Sequence, residues 1–256
     1  MNRINQLFGK KQKNILSVYF TAGYPELEDT VLVMKTLQEN GVDLIEIGIP
    51  FSDPMADGPV IQQSSHIALL NGMSIRKLFG QLTNIRKDIH IPLVMMGYLN
   101  PIMQFGFENF CRECSLVGVD GMIIPDLPMS VYLQEYKPIA DQYGLRFIFL
   151  ITPETSEERI REIDEQTNGF IYMVSSAAVT GTQQSFDNRM AYLNRINAMG
   201  LKNPRLIGFG VSNKATLALV NQHASGAIIG SAFIKALTET AGVDNAVNVL
   251  LNNLKK

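Results

Sequence analysis

The sequence predicts an α/β protein of the TIM-barrel class, a single (β/α)8 barrel with an extra helix at its N-terminus. Short apolar runs alternate eight times with stretches in which apolar residues recur three and four positions apart. The runs are apolar throughout, which indicates strands that are buried on both faces and paired in parallel through crossover helices. A chain of 256 residues has the usual size for eight such units. An open, doubly wound sheet is the alternative that this pattern leaves.

The predicted elements follow one another without a break. An amphipathic start, with Ile4, Leu7 and Phe8 on its apolar side, predicts a helix that covers the bottom of the barrel. No low-complexity segment or linker divides the chain, so we predict one domain over residues 1–256. The candidate strands are residues 16–20, 44–47, 93–96, 122–124, 146–150, 170–174, 206–209 and 227–229.

Composition and charge exclude several classes of function. Hydrophobic residues make up 46% of the chain and the net charge is −2, which argues against disorder and against nucleic-acid binding. The uncharged stretch at residues 89–107 is interrupted by prolines and polar residues and fails as a membrane span. The basic start is not followed by an apolar run, so it is not a secretory signal. We therefore predict a cytoplasmic protein without a metal site, in which Cys111 and Cys114 are reduced structural thiols.

A glutamate interrupts the second apolar run. Glu46 lies in the segment LIEIGI, and a carboxylate in a buried aliphatic strand is costly unless it is paired. Burial is expected to raise its pKa toward the range that is useful for proton transfer. An ion pair is the structural alternative, but the only lysine or arginine within a predicted strand is Arg146, at the opening end of its own strand. Glu46 is therefore a candidate catalytic acid or base.

The connection after this strand is long and contains three prolines. Its sequence, PFSDPMADGP at residues 50–59, predicts a stiff platform because each proline fixes φ. Turn or capping roles are the ordinary explanation for its aspartates, Asp53 and Asp57. We favour that explanation for Asp53 and a catalytic role for Asp57, which can face Glu46 across the barrel mouth.

Glycine-rich turns follow the last two predicted strands. Gly210, Gly230 and Ser231 lie in these turns, and each turn opens a helix. Glycines let backbone N–H groups approach an anion, and a helix N-terminus adds about half a positive charge. The loops after strands seven and eight are the usual phosphate site of this fold. A dinucleotide fingerprint is excluded because Asn213 stands where its third glycine would be, so we predict a small phosphorylated substrate.

The segment after the sixth predicted strand is a candidate lid. Residues 175–185, SSAAVTGTQQS, are small and polar and show no periodicity. Tyr172, in the strand before it, either reaches the pocket or belongs to the core.

Five motifs are spread along the chain. They are FTAGYP at residues 20–25, EIGIPFSDPMADGP at 46–59, VTG at 179–181, GFG at 208–210 and GSA at 230–232. Taken together, these motifs resemble the tryptophan synthase α-subunit family, and the match extends over almost the whole length of the chain and in the right order. It departs at Ala178 and Ser176, where the family commonly has a glycine and a basic residue, and this affects how the lid closes rather than the cleavage.

The resemblance implies a reaction, a partner and a set of site residues. The reaction is the retro-aldol cleavage of indole-3-glycerol phosphate to indole and glyceraldehyde 3-phosphate. The partner is a β subunit that carries pyridoxal phosphate in an α2β2 complex, with no cofactor in this chain. The implied catalytic residues are Glu46 and Asp57, and the implied substrate-binding residues are Tyr172, Gly181, Gly210, Gly230 and Ser231.

The residues fit this chemistry in their own right. Cleavage needs a proton at indole C3, removal of a proton from the glycerol hydroxyl next to the breaking bond, and stabilisation of charge on the ring nitrogen. Our hypothesis assigns both proton transfers to Glu46 and a hydrogen bond from the indole N–H to Asp57.

Two other functions remain open at this point. One is a different phosphate-binding barrel, such as a sugar-phosphate isomerase or aldolase, although no predicted strand end supplies the lysine of a Schiff-base aldolase. The other is an inactive subunit that activates a partner, which the presence of both Glu46 and Asp57 argues against.

Overall fold

Parallel strands form the centre of the structure. The computed structural model describes residues 1–174, 183–208 and 210–255. Over these residues the strands pair in parallel, in the order β5-β4-β3-β2-β1-β9-β8-β7-β6. In chain order, β1 to β9 are Ile15–Thr21, Leu44–Gly48, Leu93–Met96, Gly121–Ile123, Arg146–Phe147, Leu150–Ile151, Ile171–Val174, Arg205–Gly208 and Gly226–Ile229.

The two ends of this strand order meet in one stretch of chain. The predicted fifth strand, residues 146–150, contains β5 and ends at the first residue of β6. Between them, the Ile148 N–H donates to the Met122 carbonyl at 3.0 Å, and the Tyr172 N–H donates to the Phe149 carbonyl at 2.9 Å. Hydrogen bonding therefore continues from β4 to β7 and closes the sheet into a barrel. The predicted (β/α)8 fold is confirmed, with its fifth strand split in two, and the open-sheet alternative is wrong.

Helices alternate with these strands, as the three- and four-residue spacing predicts. The helix Phe107–Val117 buries Phe107, Phe110, Cys111 and Cys114, and it ends at Gly118, whose φ is 84°. Both cysteines are buried free thiols, and burial raises their pKa, which agrees with structural thiols. Across the described ranges, no helix is long and apolar enough to cross a membrane. In chain order, α1 to α13 are Arg3–Lys10, Asp29–Glu39, Pro59–Leu70, Ile75–Leu82, Leu99–Phe105, Phe107–Val117, Met129–Val131, Lys137–Gln142, Glu157–Gln166, Gln183–Ala198, Lys214–His223, Ser231–Glu239 and Val243–Lys255.

The pleat of the strands divides the apolar residues into two cores. Residues such as Ile45 and Ile47 pack in the larger core with the buried faces of the helices. Their neighbour Leu44 belongs instead to a smaller cluster that fills the barrel interior together with Val94 and Leu206. Successive side chains of a strand point to opposite faces, so every second residue of a barrel strand points inward.

The predicted N-terminal helix, α1, closes the lower end of the barrel. Ile4 is fully buried in the interior cluster. The Asn2 amide donates to the Asp120 carbonyl at 2.7 Å, and the Asn5 amide donates to the Asn168 carbonyl at 2.8 Å. Asp120 directly precedes β4 and Asn168 lies three residues before β7, so α1 lies at the amino ends of the strands, opposite the mouth.

Candidate active site

A cavity of about 250 Å³ lies at the carboxyl ends of the strands. Residues from β1, β3, β7 and β9 form its walls, together with residues after β2, β8 and β9. Most of its surface is apolar, and a few polar groups converge on it, as is typical of sites for small molecules. Its lining residues are Tyr19, Asp57, Ile61, Met96, Tyr172, Gly210, Val211, Ser212, Ile228, Gly230, Ser231, Ala232 and Lys235.

Glu46 points into the barrel interior. Strand β2 pairs Glu46 with Tyr19 of β1 and with Val94 of β3, and Val94 belongs to the interior cluster. Directly paired residues of parallel strands share a face, so the Glu46 side chain lies inside the barrel. It is fully buried, and it is level with Tyr19, which lines the cavity.

Within the described part of the chain, the carboxyl group of Glu46 has one hydrogen bond. The Ser17 hydroxyl donates to Oε1 at 2.8 Å, whereas Oε2 is buried with no partner among those residues. In the described part of the chain no lysine, arginine or histidine forms an ion pair with it, so the structural alternative of a buried ion pair does not apply there. Burial raises the pKa of Glu46 from 4.5 to about 8, and the hydrogen bond from Ser17 opposes that rise. The carboxyl is therefore mostly protonated at neutral pH.

Asp57 lines the cavity on the loop between β2 and α3. The Tyr98 hydroxyl, just after β3, accepts a hydrogen bond from the Ala56 N–H at 2.9 Å and donates to Asp57 Oδ2 at 3.1 Å. Because the hydroxyl oxygen already accepts a bond, its hydrogen is directed at the carboxylate. Burial raises the pKa of Asp57 to about 6, and the bond from Tyr98 opposes the rise. At neutral pH Asp57 is mostly ionised, in contrast to Glu46.

Two buried tyrosines flank this pair, and each lies over a glycine of the neighbouring strand. A Cβ on Gly48 would lie 2.2 Å from the Tyr19 hydroxyl, and a Cβ on Gly208 would lie 2.2 Å from the Tyr172 hydroxyl. Only glycine leaves room for these rings. Burial raises the pKa of both tyrosines, and the charges of Glu46 and Asp57 raise it further, so both hydroxyls remain neutral donors. Tyr172 thus both lines the cavity and packs in the interior cluster.

The opposite wall of the cavity contains the predicted phosphate-binding turns. Gly230, the residue before α12, and Ser231, its first residue, line the cavity, and no side chain caps this helix. Helix α11 differs, because the Asn213 side chain accepts from the Thr216 N–H in a capping box. Gly210 also lines the cavity, with φ at 76°. The start of α12 is therefore the helix N-terminus that is open to an anion.

Some predicted residues lie outside the described ranges. Gly181 is one, as are Ser176, Ala178 and Phe209. Of the predicted lid at residues 175–185, only 183–185 are described, and their backbone belongs to α10.

Comparison with known proteins identifies the family. The family model for the tryptophan synthase alpha chain matches residues 6–255. The chain belongs to this family. It is 61% identical, over the full length of both chains, to the tryptophan synthase alpha chain of Parabacteroides distasonis, and 60% identical to that of Bacteroides thetaiotaomicron.

Solved structures of tryptophan synthase agree in fold. The Legionella pneumophila alpha chain superposes with a TM-score of 0.87 at 33% identity, covering 100% of this chain and 96% of that one. A chain of the Mycobacterium tuberculosis enzyme superposes with a TM-score of 0.86 at 30% identity, covering 99% and 98%. The chain is thus a lyase of tryptophan biosynthesis, and its family partner is the β subunit of the same enzyme.

The sequence of this alpha chain did not single out several site residues. Ser17 and Tyr19 occupy inward positions of β1. The available signal was their two-residue spacing in the segment SVY, which places both side chains on one face of the strand. Tyr98 follows β3 at the carboxyl end, where working residues of barrels lie. Lys235 is one helical turn beyond Ser231, so it shares the cavity with the start of α12. The described residues include no group of three or more His, Cys, Asp or Glu side chains that could hold a metal ion.

Proposed function

We propose that Glu46 and Asp57 of this alpha chain catalyse the retro-aldol cleavage of indole-3-glycerol phosphate to indole and glyceraldehyde 3-phosphate. The observation that carries the proposal is the contrast between two carboxyl groups that both act on Tyr19 and Tyr172. Glu46 is fully buried with Oε2 unpartnered among the described residues, whereas Asp57 lines the cavity and accepts a hydrogen bond from Tyr98. With a pKa of about 8, Glu46 is an acid at neutral pH, and with a pKa of about 6, Asp57 is a carboxylate. Two carboxyl groups whose pKa values differ in this way can divide the acid and base roles between them.

The proton steps follow from these states. Neutral Glu46 donates its proton to C3 of the indole ring, and the bond between C3 and the glycerol chain then breaks with its electron pair passing to the ring. The resulting Glu46 carboxylate takes the proton from the hydroxyl on the adjacent carbon, which becomes the aldehyde of glyceraldehyde 3-phosphate. Asp57 accepts a hydrogen bond from the indole N–H and stabilises the positive charge that protonation creates there. Acid and base catalysis of this kind contributes about 10² to 10⁴ in rate.

In this proposal the phosphate binds at the opposite wall. The uncapped start of α12 offers the N–H groups of its first turn, and Gly210 and Gly230 let the chain approach the anion. Lys235 supplies a positive charge from the same helix. The family resemblance adds Gly181 to these phosphate-binding residues. The phosphate end fixes the position of the substrate, and the chemistry remains with the carboxyl pair.

The proposal extends to cofactor, organisation and location. Acid and base chemistry by Glu46 and Asp57 needs no cofactor in this chain, and we assign pyridoxal phosphate to the β subunit of the α2β2 complex. We keep residues 1–256 as one domain, since β1 pairs with both β2 and β9. We place the enzyme in the cytoplasm, as the sequence suggested.

Substitution of Glu46 tests the proposed function. In the presence of the β subunit, Glu46→Gln should lower indole release from indole-3-glycerol phosphate by at least about 10², the contribution of acid and base catalysis, while glyceraldehyde 3-phosphate still binds. The matched control is Tyr172→Phe, which removes a hydroxyl from the same cavity and should retain most of the turnover. Near-normal turnover in purified Glu46→Gln would remove Glu46 from its role.

A further inference from the structure

Ser17 is a polar residue in a part of the barrel that is otherwise apolar. It is fully buried on β1, where it pairs with Leu44, and its inward-facing neighbours include Ile15 and Val94. A buried hydroxyl without a partner is destabilising, so such a residue normally has a bonding role. Among the described residues, its side chain is bonded to Glu46 alone.

We propose that Ser17 is a positioning residue that determines which oxygen of Glu46 carries the transferable proton. This inference rests on the proposed function of Glu46. The Ser17 hydroxyl donates to Oε1 at 2.8 Å, so Oε1 acts as an acceptor. In a neutral carboxylic acid only one oxygen bears the hydrogen. When Glu46 is ionised, Oε2 is thus the oxygen without a partner among the described residues, and it is the oxygen that takes up the transferable proton.

The register of the strands shows that the bond between Ser17 and Glu46 lies on the side of Glu46 toward the amino ends of the strands. Tyr19 is the β1 residue level with Glu46, whereas Ser17 is level with Leu44, one inward layer nearer the amino ends of the strands. The bond from Ser17 thus ties Oε1 to the deeper layer and leaves Oε2 as the free oxygen of the group. Without the hydroxyl, neither oxygen would have a hydrogen-bond partner among the described residues, and the tie to the deeper layer would be lost.

The hydroxyl also opposes the effect of burial on the protonation of Glu46. A donor to a carboxylate favours the charged form and lowers its pKa, so removal of Ser17 should raise the pKa of Glu46 above about 8. The other titratable groups of this interior are Tyr19 on β1, Tyr172 on β7 and Asp57 on the loop after β2. No cation from the described elements faces Glu46, so Ser17 is the group that stabilises its charged form.

The test compares pH profiles of kcat/KM for indole release, measured with the β subunit present, because kcat/KM reports the acid and base of the free enzyme. Glu46 must be protonated and Asp57 ionised, so the wild type should lose activity above about pH 8 and below about pH 6. In Ser17→Ala the basic limb of the profile, which is the loss of activity at high pH, should move up by about one pH unit. This is the size expected for loss of a hydrogen bond to a charged group. The acidic limb, which belongs to Asp57, should stay in place, and kcat should fall more than KM rises.

Two further variants separate positioning from packing. Ser17→Thr keeps a hydroxyl and should restore the wild-type basic limb. Ser64→Ala removes another buried hydroxyl, which bonds to Thr21 at 2.6 Å, and should move neither limb. If Ser17→Ala does not fold, Ser17→Cys replaces it, because a thiol is a weak donor and the same shift is expected.

The outcomes distinguish this inference from the proposed function. If the basic limb of the Ser17 variant coincides with that of the wild type, or if both limbs move together, the positioning role is wrong. An inactive Glu46→Gln combined with that result leaves the proposed function intact. Near-normal turnover in Glu46→Gln would remove the proposed function, and the role of Ser17 with it.

Discussion

Replacing Glu46 by glutamine should make the protein more stable while it makes it inactive. The carboxyl has its ordinary pKa of 4.5 in the unfolded chain and a pKa of about 8 in the folded barrel. Between these values the folded state keeps a proton that the unfolded chain has released, so the free energy of unfolding falls as the pH rises. At roughly 1.36 kcal/mol per pKa unit, the loss reaches about 3 kcal/mol at pH 7 and about 5 kcal/mol above pH 8.

Glutamine has the same shape and does not titrate, so Glu46→Gln should escape this loss. Urea unfolding of both proteins at a series of pH values from 5 to 9 gives the difference directly. The stability difference is expected to grow from about 1 kcal/mol at pH 5 to about 3 kcal/mol at pH 7, and the latter corresponds to roughly 10 °C in Tm for a chain of this size. Glu39→Gln, at an exposed glutamate that ends α2, is the control and should follow the wild type. A stability difference between Glu46→Gln and wild type that does not change with pH would refute the raised pKa.

Other substitutions test the remaining parts of the site. Asp57→Asn should lose most of the indole-release activity, because an amide oxygen stabilises the charged indole N–H less well than a carboxylate; unchanged kcat would contradict this. Gly208→Ala places a methyl group against the Tyr172 hydroxyl, so it should lower both the Tm and the affinity of the cavity for its substrate. Lys235→Ala should raise KM several-fold with little change in kcat, and the increase should shrink at high salt; an effect on kcat alone would argue against phosphate binding.

The sequence determined the architecture well because burial leaves a strong pattern. The apolar runs placed the strands to within a few residues, and the amphipathic start placed α1 beneath the barrel. The fifth strand was the exception: its residues hydrogen-bond to β4 at one end and to β7 at the other, and the division into β5 and β6 depends on that tertiary geometry.

Site residues were predictable where a residue type was out of place. A carboxylate in an aliphatic strand drew attention to Glu46, and glycines at helix starts drew attention to Gly230. Ser17 and Tyr98 carry no such signal, because serine and tyrosine are common in and after strands. Their importance comes from what they touch, Glu46 and Asp57, and that requires strand register.

The most direct test of the account is the protonation state of Glu46 itself. An infrared difference spectrum between wild type and Glu46→Gln, recorded across pH in the full-length chain, isolates the carboxyl group of this residue. A Glu46 carboxyl with a pKa of about 8 should show the band of a protonated acid at pH 7, and this band should disappear as the pH rises past about 8. A carboxylate band already present at pH 6 would contradict it, because Glu46 could then not deliver the proton that cleavage requires.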